Sequence, residues 1–166
     1  FPVTFNTRTF EYTPVYDPSS APEPLEITGS KVVVDLVKNH NYDFQGGDDY
    51  VADDWFYDPD FFTKNANGTY KFISASGKYT IKVNTKARGF RIWAMKDAKN
   101  TATLNDDGTG ALWIIGQVGI NKPLYTDVKN GWWTDTDHAL CMSQVSDRVY
   151  QITLTVGKQL YNGAEG

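Results

Sequence analysis

Several things are scarce in this 166-residue chain, and each scarcity removes a class of function. There is a single cysteine, Cys141, so no internal disulfide and no paired-cysteine metal or redox motif can form. Its neighbours Ala139, Leu140 and Met142 mark it as a small buried hydrophobe. No apolar run approaches the roughly 20 residues that span a bilayer as a helix. Lysine and arginine are scattered singly and the net charge is −4, which argues against nucleic acid and anionic lipid as partners. The two histidines, His40 and His138, lie among turn residues with no third ligand or nucleophile at a recognisable spacing. They read as exposed loop side chains. Neither a phosphate-cradling glycine loop nor a hydrolase or metalloprotease motif occurs.

Helix signals are scarce too. No stretch of a dozen residues holds an i, i+3, i+4, i+7 apolar pattern between caps. What replaces them is a series of short, β-branched or aromatic runs at 31–37, 69–75, 78–84, 89–95, 111–116 and 148–156. In 78–84, Tyr79, Ile81 and Val83 alternate with Lys78, Thr80, Lys82 and Asn84, the period-two pattern of a half-buried strand. Ser76-Gly77 and Ala87-Arg88-Gly89 separate runs at hairpin distance, so 69–95 reads as a three-stranded antiparallel meander. The expected fold class is all-β, an antiparallel sandwich of the immunoglobulin-like or carbohydrate-binding-module kind.

Two segments punctuate the chain. Prolines 18, 22 and 24 keep 17–24 from being a central strand, leaving a long loop or linker. The polar run Asn105-Asp106-Asp107-Gly108-Thr109-Gly110 is a turn with residues tolerant of left-handed backbone. It separates an expected first module, 1–104, from a second, 109–166. The second is short for a sandwich: it is either incomplete or adds strands to the first.

Six aspartates, at 48, 49, 53, 54, 58 and 60, crowd one region. Two facing carboxylates would suit glycosidic hydrolysis, and a cluster of hard oxygens would suit calcium. Flanking Trp55, Tyr57 and Pro59, they read more simply as loop residues. The expectation is no enzyme, no cofactor and no metal.

Aromatics are abundant, at 14% of residues. Phe61, Phe62, Trp93 and Trp113 sit in apolar contexts and are expected in the core. Trp132-Trp133, between Gly131 and Asp135 in a polar stretch, is different. Sugar C–H faces stack on flat rings and their hydroxyls suit nearby carboxylates, so Trp132, Trp133 and Asp135 form a candidate glycan platform. Trp55 and Tyr57 are the second choice.

The runs DWFYDPDFF, GTYKFISASGKYTIKVN, DDGTGALWIIG, GWWTDTDHALCM and YQITLTVGK together resemble, over about 31–160, domains of Bacteroides glycan-utilisation loci. They are similar to the SusE/SusF-type outer-membrane starch-binding lipoproteins. The resemblance implies a non-catalytic, lipid-anchored protein at the cell surface that holds polysaccharide or oligosaccharide beside an outer-membrane glycan transporter complex. It places Trp132 and Trp133 in the binding loop of the second module. The phenylalanine-rich strand that ends such modules is missing before Gly166, which implies an incomplete second module. The rival reading is an immunoglobulin-like spacer with no ligand of its own.

Overall fold

The computed structural model describes residues 3–6, 11–14, 21–45, 54–85, 88–115, 135–136 and 138–160. Among them are thirteen strands and no helix, so the chain is an all-β protein. Strands β1 (Val3–Asn6) and β2 (Glu11–Pro14) pair as an antiparallel ribbon. The central sandwich consists of two sheets. One has the order β3 (Glu23–Glu26), β5 (Asn41–Gln45), β7 (Tyr70–Phe72), β6 (Phe62–Lys64). The other has the order β4 (Lys31–Leu36), β8 (Gly77–Asn84), β9 (Gly89–Met95). All pairings are antiparallel except β3 with β5.

Alternation decides what each strand buries. On β8, Tyr79, Ile81 and Val83 face inward. On β9 the inward set is Phe90, Ile92 and Ala94, and β4 adds Val32, Val34 and Leu36. From the opposite sheet come Leu25, Tyr42, Phe44, Phe62, Tyr70 and Phe72. Phe90 is the hub. Its ring centroid lies 4.7 Å from Phe44, 5.6 Å from Tyr70 and 5.8 Å from Phe62, which ties the two sheets together. Such edge and tilted pairs each add about 0.5–1.5 kcal/mol beyond the area they bury. Phe61 and Phe62 are buried as expected.

The expected meander is corrected in one respect. β8 and β9 form a hairpin, but 69–75 does not pair with 78–84. Strand β7 instead pairs with β6 and β5, and the chain crosses to the other sheet between Phe72 and Gly77. Crossing residues find other partners. Ile73 N–H donates to Phe61 O, Ala75 N–H to Gln144 O, and Tyr79 Oη to Ala75 O at 2.6 Å. The proline-rich segment is corrected as well. It ends inside a strand, because β3 is an edge that pairs only with β5, where Pro24 can be accommodated.

The β6–β7 hairpin and the turn after Thr103 share one design. In Asn65-Ala66-Asn67-Gly68-Thr69 and Asn105-Asp106-Asp107-Gly108-Thr109, the first Asn N–H donates to the Thr carbonyl, at 2.8 and 2.9 Å. Its side-chain amide donates to the Thr hydroxyl, at 2.9 and 3.0 Å. The third residue, Asn67 or Asp107, accepts from both the N–H and the hydroxyl of that Thr. Gly68 and Gly108 have φ of +87° and +83°, which a β-carbon would strain.

Two small pairs follow, β10 (Trp113–Ile114) with β11 (Leu140–Cys141), and β12 (Ser143–Ser146) with β13 (Val149–Gln151). Both are shorter than the runs 111–116 and 148–156 predict. Ala111 N–H donates to Thr103 O. Past β13, Thr153 gives both its N–H and its hydroxyl to the Asp60 carboxylate, and Thr155 N–H donates to Gln159 Oε1. Side-chain acceptors have taken donors that a strand would need.

Asp60 is 7% exposed and also accepts from Gln151 Nε2 at 2.6 Å. Asp60→Ala strips three donors of their acceptor and should destabilise the protein by about 2–4 kcal/mol. Asp60→Asn, which keeps one carbonyl oxygen, should cost less. Urea unfolding of the three proteins measures the difference, and equal midpoints would contradict it.

Cys141 is buried, as its apolar flanks predict, with Ala94 N–H 3.5 Å from its sulfur. Desolvation pushes the thiol up to about 12 from 9.0 and raises the Tyr79 phenol as well. The folded state thus keeps a proton that the unfolded chain releases above pH 9. Stability should fall as pH rises from 9 toward 12, by up to about 1.4 kcal/mol per pH unit from Cys141. Denaturant titrations should show a shallower decline for Cys141→Ala between pH 9 and 10, where the thiol contributes more of the slope than Tyr79 does.

Candidate functional site

The outward residues of β4, β8 and β9 stand in cross-strand rows set by the register. Asp35, Lys78 and Met95 form one row, Val33, Thr80 and Trp93 the next, and Lys31, Lys82 and Arg91 the third. The first row is internally balanced, since Lys78 Nζ lies 2.8 Å from both Asp35 oxygens. The third sets three cations directly opposite one another. Like charges in that relation are unfavourable in a sheet. Cations scattered singly in the sequence are thus brought together in space by strand register.

Local contacts offset part of that repulsion. Asp58, 4% exposed, reaches Arg91 from beyond the edge of β9, with Oδ2 3.0 Å from Arg91 Nε. It gets there because Phe56 bridges to Gly89 and exchanges backbone hydrogen bonds with Arg88 and Phe90. The other Asp58 oxygen accepts from buried Gln159 at 2.9 Å. Lys82 Nζ lies 4.3 Å from the centroid of the Trp93 ring, a cation–π distance, with Arg91 at 5.7 Å. Burial deepens along the row: Lys31 is exposed, Lys82 half-buried and Arg91 buried.

Around this row lies an open groove of about 500 Å³, bounded by Ser30, Lys31, Lys82, Asn84, Thr85 and Arg91 among others. Its walls offer ammonium, guanidinium, amide and hydroxyl groups, and none of its lining residues is a carboxylate. A second hollow of about 340 Å³ surrounds the first twin turn, at Asn41, Asn65 and Asn67. There Asn65 Nδ2 donates to Asn41 Oδ1 at 2.9 Å as well as to Thr69, so that amide holds the turn.

The sequence-predicted platform is only partly placed. Trp132 and Trp133 lie outside the described residues. Asp135 is exposed and opens a tight turn, with Oδ1 accepting from His138 N–H at 3.1 Å and lying 2.6 Å from His138 Nδ1. His138 is half-buried rather than exposed, as is His40. Thr136 pins this turn to the outer face: its carbonyl accepts from Trp93 Nε1 at 3.1 Å, and its hydroxyl meets that of Thr101 at 2.6 Å. Asp135 therefore directly precedes the residue that receives the Trp93 indole N–H.

Trp55 and Tyr57 are corrected. Trp55 is 6% exposed within the core cluster. Tyr57 stacks on Phe90 and meets Tyr70 edge-on at 5.3 Å. Burial closes the Trp55 ring to a ligand, while Tyr57 stays half-buried with its ring against Phe90 and Tyr70. Trp93 is buried as expected, and Trp113 is half-buried on the core, its indole N–H donating to Ala102 O at 2.9 Å.

The aspartate cluster also disperses. Asp54 pairs with Arg88 at 2.6 and 2.8 Å, and that guanidinium holds its carboxyl below the usual range. Asp58 and Asp60 point to separate partners; positions 48, 49 and 53 lie outside the described residues. Among the described residues no group of three or more histidine, cysteine, aspartate or glutamate side chains could hold a metal ion.

Sequence reasoning missed Lys31, Lys82 and Arg91. The outward alternation of Lys82 was visible, but Arg91 sits inside the apolar run GFRIWAM, and only strand register aligns it with the two lysines.

Removing the Asp58 carboxylate would leave a buried guanidinium without its partner. Asp58→Ala should cost about 3–5 kcal/mol. Asp58→Ala combined with Arg91→Met should cost less than the two single changes added together, as read by thermal unfolding. Strict additivity would mean the pair is not coupled.

Residues 1–104 match the model of the family described as Domain of unknown function (DUF5125). Residues 107–164 match the model described as Domain of unknown function (DUF5121). No curated protein and no solved structure matches the chain.

Proposed function

The chain belongs to the DUF5125 family, whose description names no activity, and we propose that it is a non-catalytic glycan-binding protein. The observation that carries this reading is the open groove on the outer sheet face. A shallow, hydroxyl-, amide- and ammonium-lined hollow suits a flexible polyhydroxylated ligand. It does not suit a flat apolar cofactor, which would need a deeper and mainly hydrophobic pocket. Hydrolysis of a glycosidic bond would require two carboxylates a fixed distance apart. The groove lining holds none, and Asp58, the nearest acid described, is committed to Arg91 and Gln159.

Sequence chemistry supports the same reading. Trp132 and Trp133 come a few residues before Thr136 in the sequence, and the Thr136 carbonyl accepts from the indole of Trp93, in the register row next to Lys82 and Arg91. Indole rings supply flat faces for sugar stacking, and Asp135 supplies an acceptor. Likeness to the SusE/SusF-type lipoproteins adds the setting: display at the cell surface, lipid-anchored in the outer membrane, with a glycan transporter complex as neighbour.

The test begins with a glycan array on the purified chain, then titration of the best ligand against Trp132→Ala and Trp133→Ala. Stacking on one ring supplies on the order of 1–2 kcal/mol. Loss of either ring should therefore weaken binding about 5- to 30-fold at unchanged melting temperature. An array with no bound glycan would favour the spacer reading, and unchanged binding in both variants would take the site away from these rings.

A further inference from the structure

Strand β4 is an edge of its sheet. Among the described residues it pairs only with β8, and Lys31, Val33 and Asp35 along it are exposed, Val33 by 39%. The ladder fixes which backbone groups that edge presents. One step beyond the Lys31–Lys82 pair, Val83 N–H donates to Ser30 O at 2.8 Å, which makes those two a hydrogen-bonded pair. Antiparallel pairs alternate, so Val32, Val34 and Leu36 turn their N–H and C=O groups toward β8. Lys31, Val33 and Asp35 turn theirs outward. Val37, next in the outward series, gives its N–H to Tyr42 Oη at 2.8 Å and not to β8.

An exposed edge of this kind is a template for another strand, and charges on it discourage indiscriminate pairing. Here the charges are spaced so that one arrangement satisfies them. We propose that β4 pairs with β4 of a second copy of this chain, antiparallel and centred on Val33. That register sets Lys31 opposite the partner's Asp35, Asp35 opposite the partner's Lys31, and Val33 against the partner's Val33. It also brings outward-turned residues against outward-turned residues, so all three positions join the new ladder. Centring the pair on residue 31 or on residue 35 would oppose two lysines or two aspartates, which a sheet disfavours. The Asp35 carboxylate already meets Lys78 Nζ at 2.8 Å and has lone pairs for a second ammonium group.

The contact is isologous and closes as a dimer. Its twofold axis stands perpendicular to the sheet, so two three-stranded sheets join into one of six, with both outer faces and their grooves on the same side. Pairing over residues 31–35 buries less than the about 1,200 Å² of standard complexes, so the dimer is weak. The inference stands apart from the glycan-binding reading.

Sedimentation velocity of the full chain at low salt tests it. Expected is a monomer–dimer equilibrium in which the dimer grows from ~10 to ~500 μM protein, the range for an interface of this size. Raising NaCl should weaken it. Lys31→Asp opposes aspartate to aspartate, and Asp35→Lys opposes lysine to lysine, so each variant alone should self-associate at least about tenfold more weakly. Mixed in equal amounts the two variants are complementary, and they should form a heterodimer about as stable as the original dimer. Val33→Pro removes an outward N–H and leaves the β8 ladder intact, so it should abolish the dimer with little change in melting temperature.

A chain that stays monomeric across that range would overturn the proposal. So would a dimer that neither charge variant weakens, which would place the contact on another surface. A mixture no more associated than its two components would overturn it as well, whatever the fate of Val33→Pro. None of these outcomes touches the glycan array or the tryptophan titrations.

Discussion

The carboxylates of Asp58 and Asp60 are buried in one turn, and a buried carboxylate must be fully hydrogen-bonded. That requirement organises the molecule beyond the sandwich. Asp58 satisfies itself with Arg91 on β9 and with Gln159, and Asp60 with Gln151 and Thr153. Both acids thus bind residues from the C-terminal third, and one of them also binds the outer sheet. The segment after β13 is held by these acceptors rather than by a neighbouring strand. Its threonines and β-branched residues would otherwise extend the ladder.

The same turn hands the chain to the core. Phe61 and Phe62 follow directly, their N–H groups both donating to Asp58 O, and Phe62 joins the ring cluster around Phe90. A polar clamp and an aromatic hub are therefore adjacent in sequence and coupled in space. The hub joins the two sheets through direct ring contacts. The clamp decides which surface of β9 is left covered and which is left open to the groove.

The proposed binding face follows from that division. The inner face of β4, β8 and β9 is wholly given to packing. Their outer face carries the cationic row, and Trp93 lies beneath it. Trp93 is an aromatic whose value is indirect. It is closed to a ligand, yet it supports Lys82 and receives the turn at Asp135 through its indole N–H. The groove is built on three paired strands, so its cations are positioned by backbone register and not by a loop.

Local pattern alone determined the all-β class, the inward and outward faces of 78–84, the β8–β9 hairpin, the turn at Asn105–Thr109 and the burial of Phe61, Phe62, Trp93 and Cys141. These depend on period-two alternation and on turn chemistry, which act over a few residues. Tertiary structure decided the rest. It paired β7 with β6 and β5 instead of β8, because a sheet crossing is set by which faces must meet and not by the linker. Burial turned Trp55 and Tyr57 inward, since aromatic content does not say which side of a ring is covered. It ended β13 early, where the Asp60 carboxylate outcompeted a backbone partner. Long-range register also brought Lys31, Lys82 and Arg91 into one row from positions up to 60 residues apart. No short window of sequence contains that alignment.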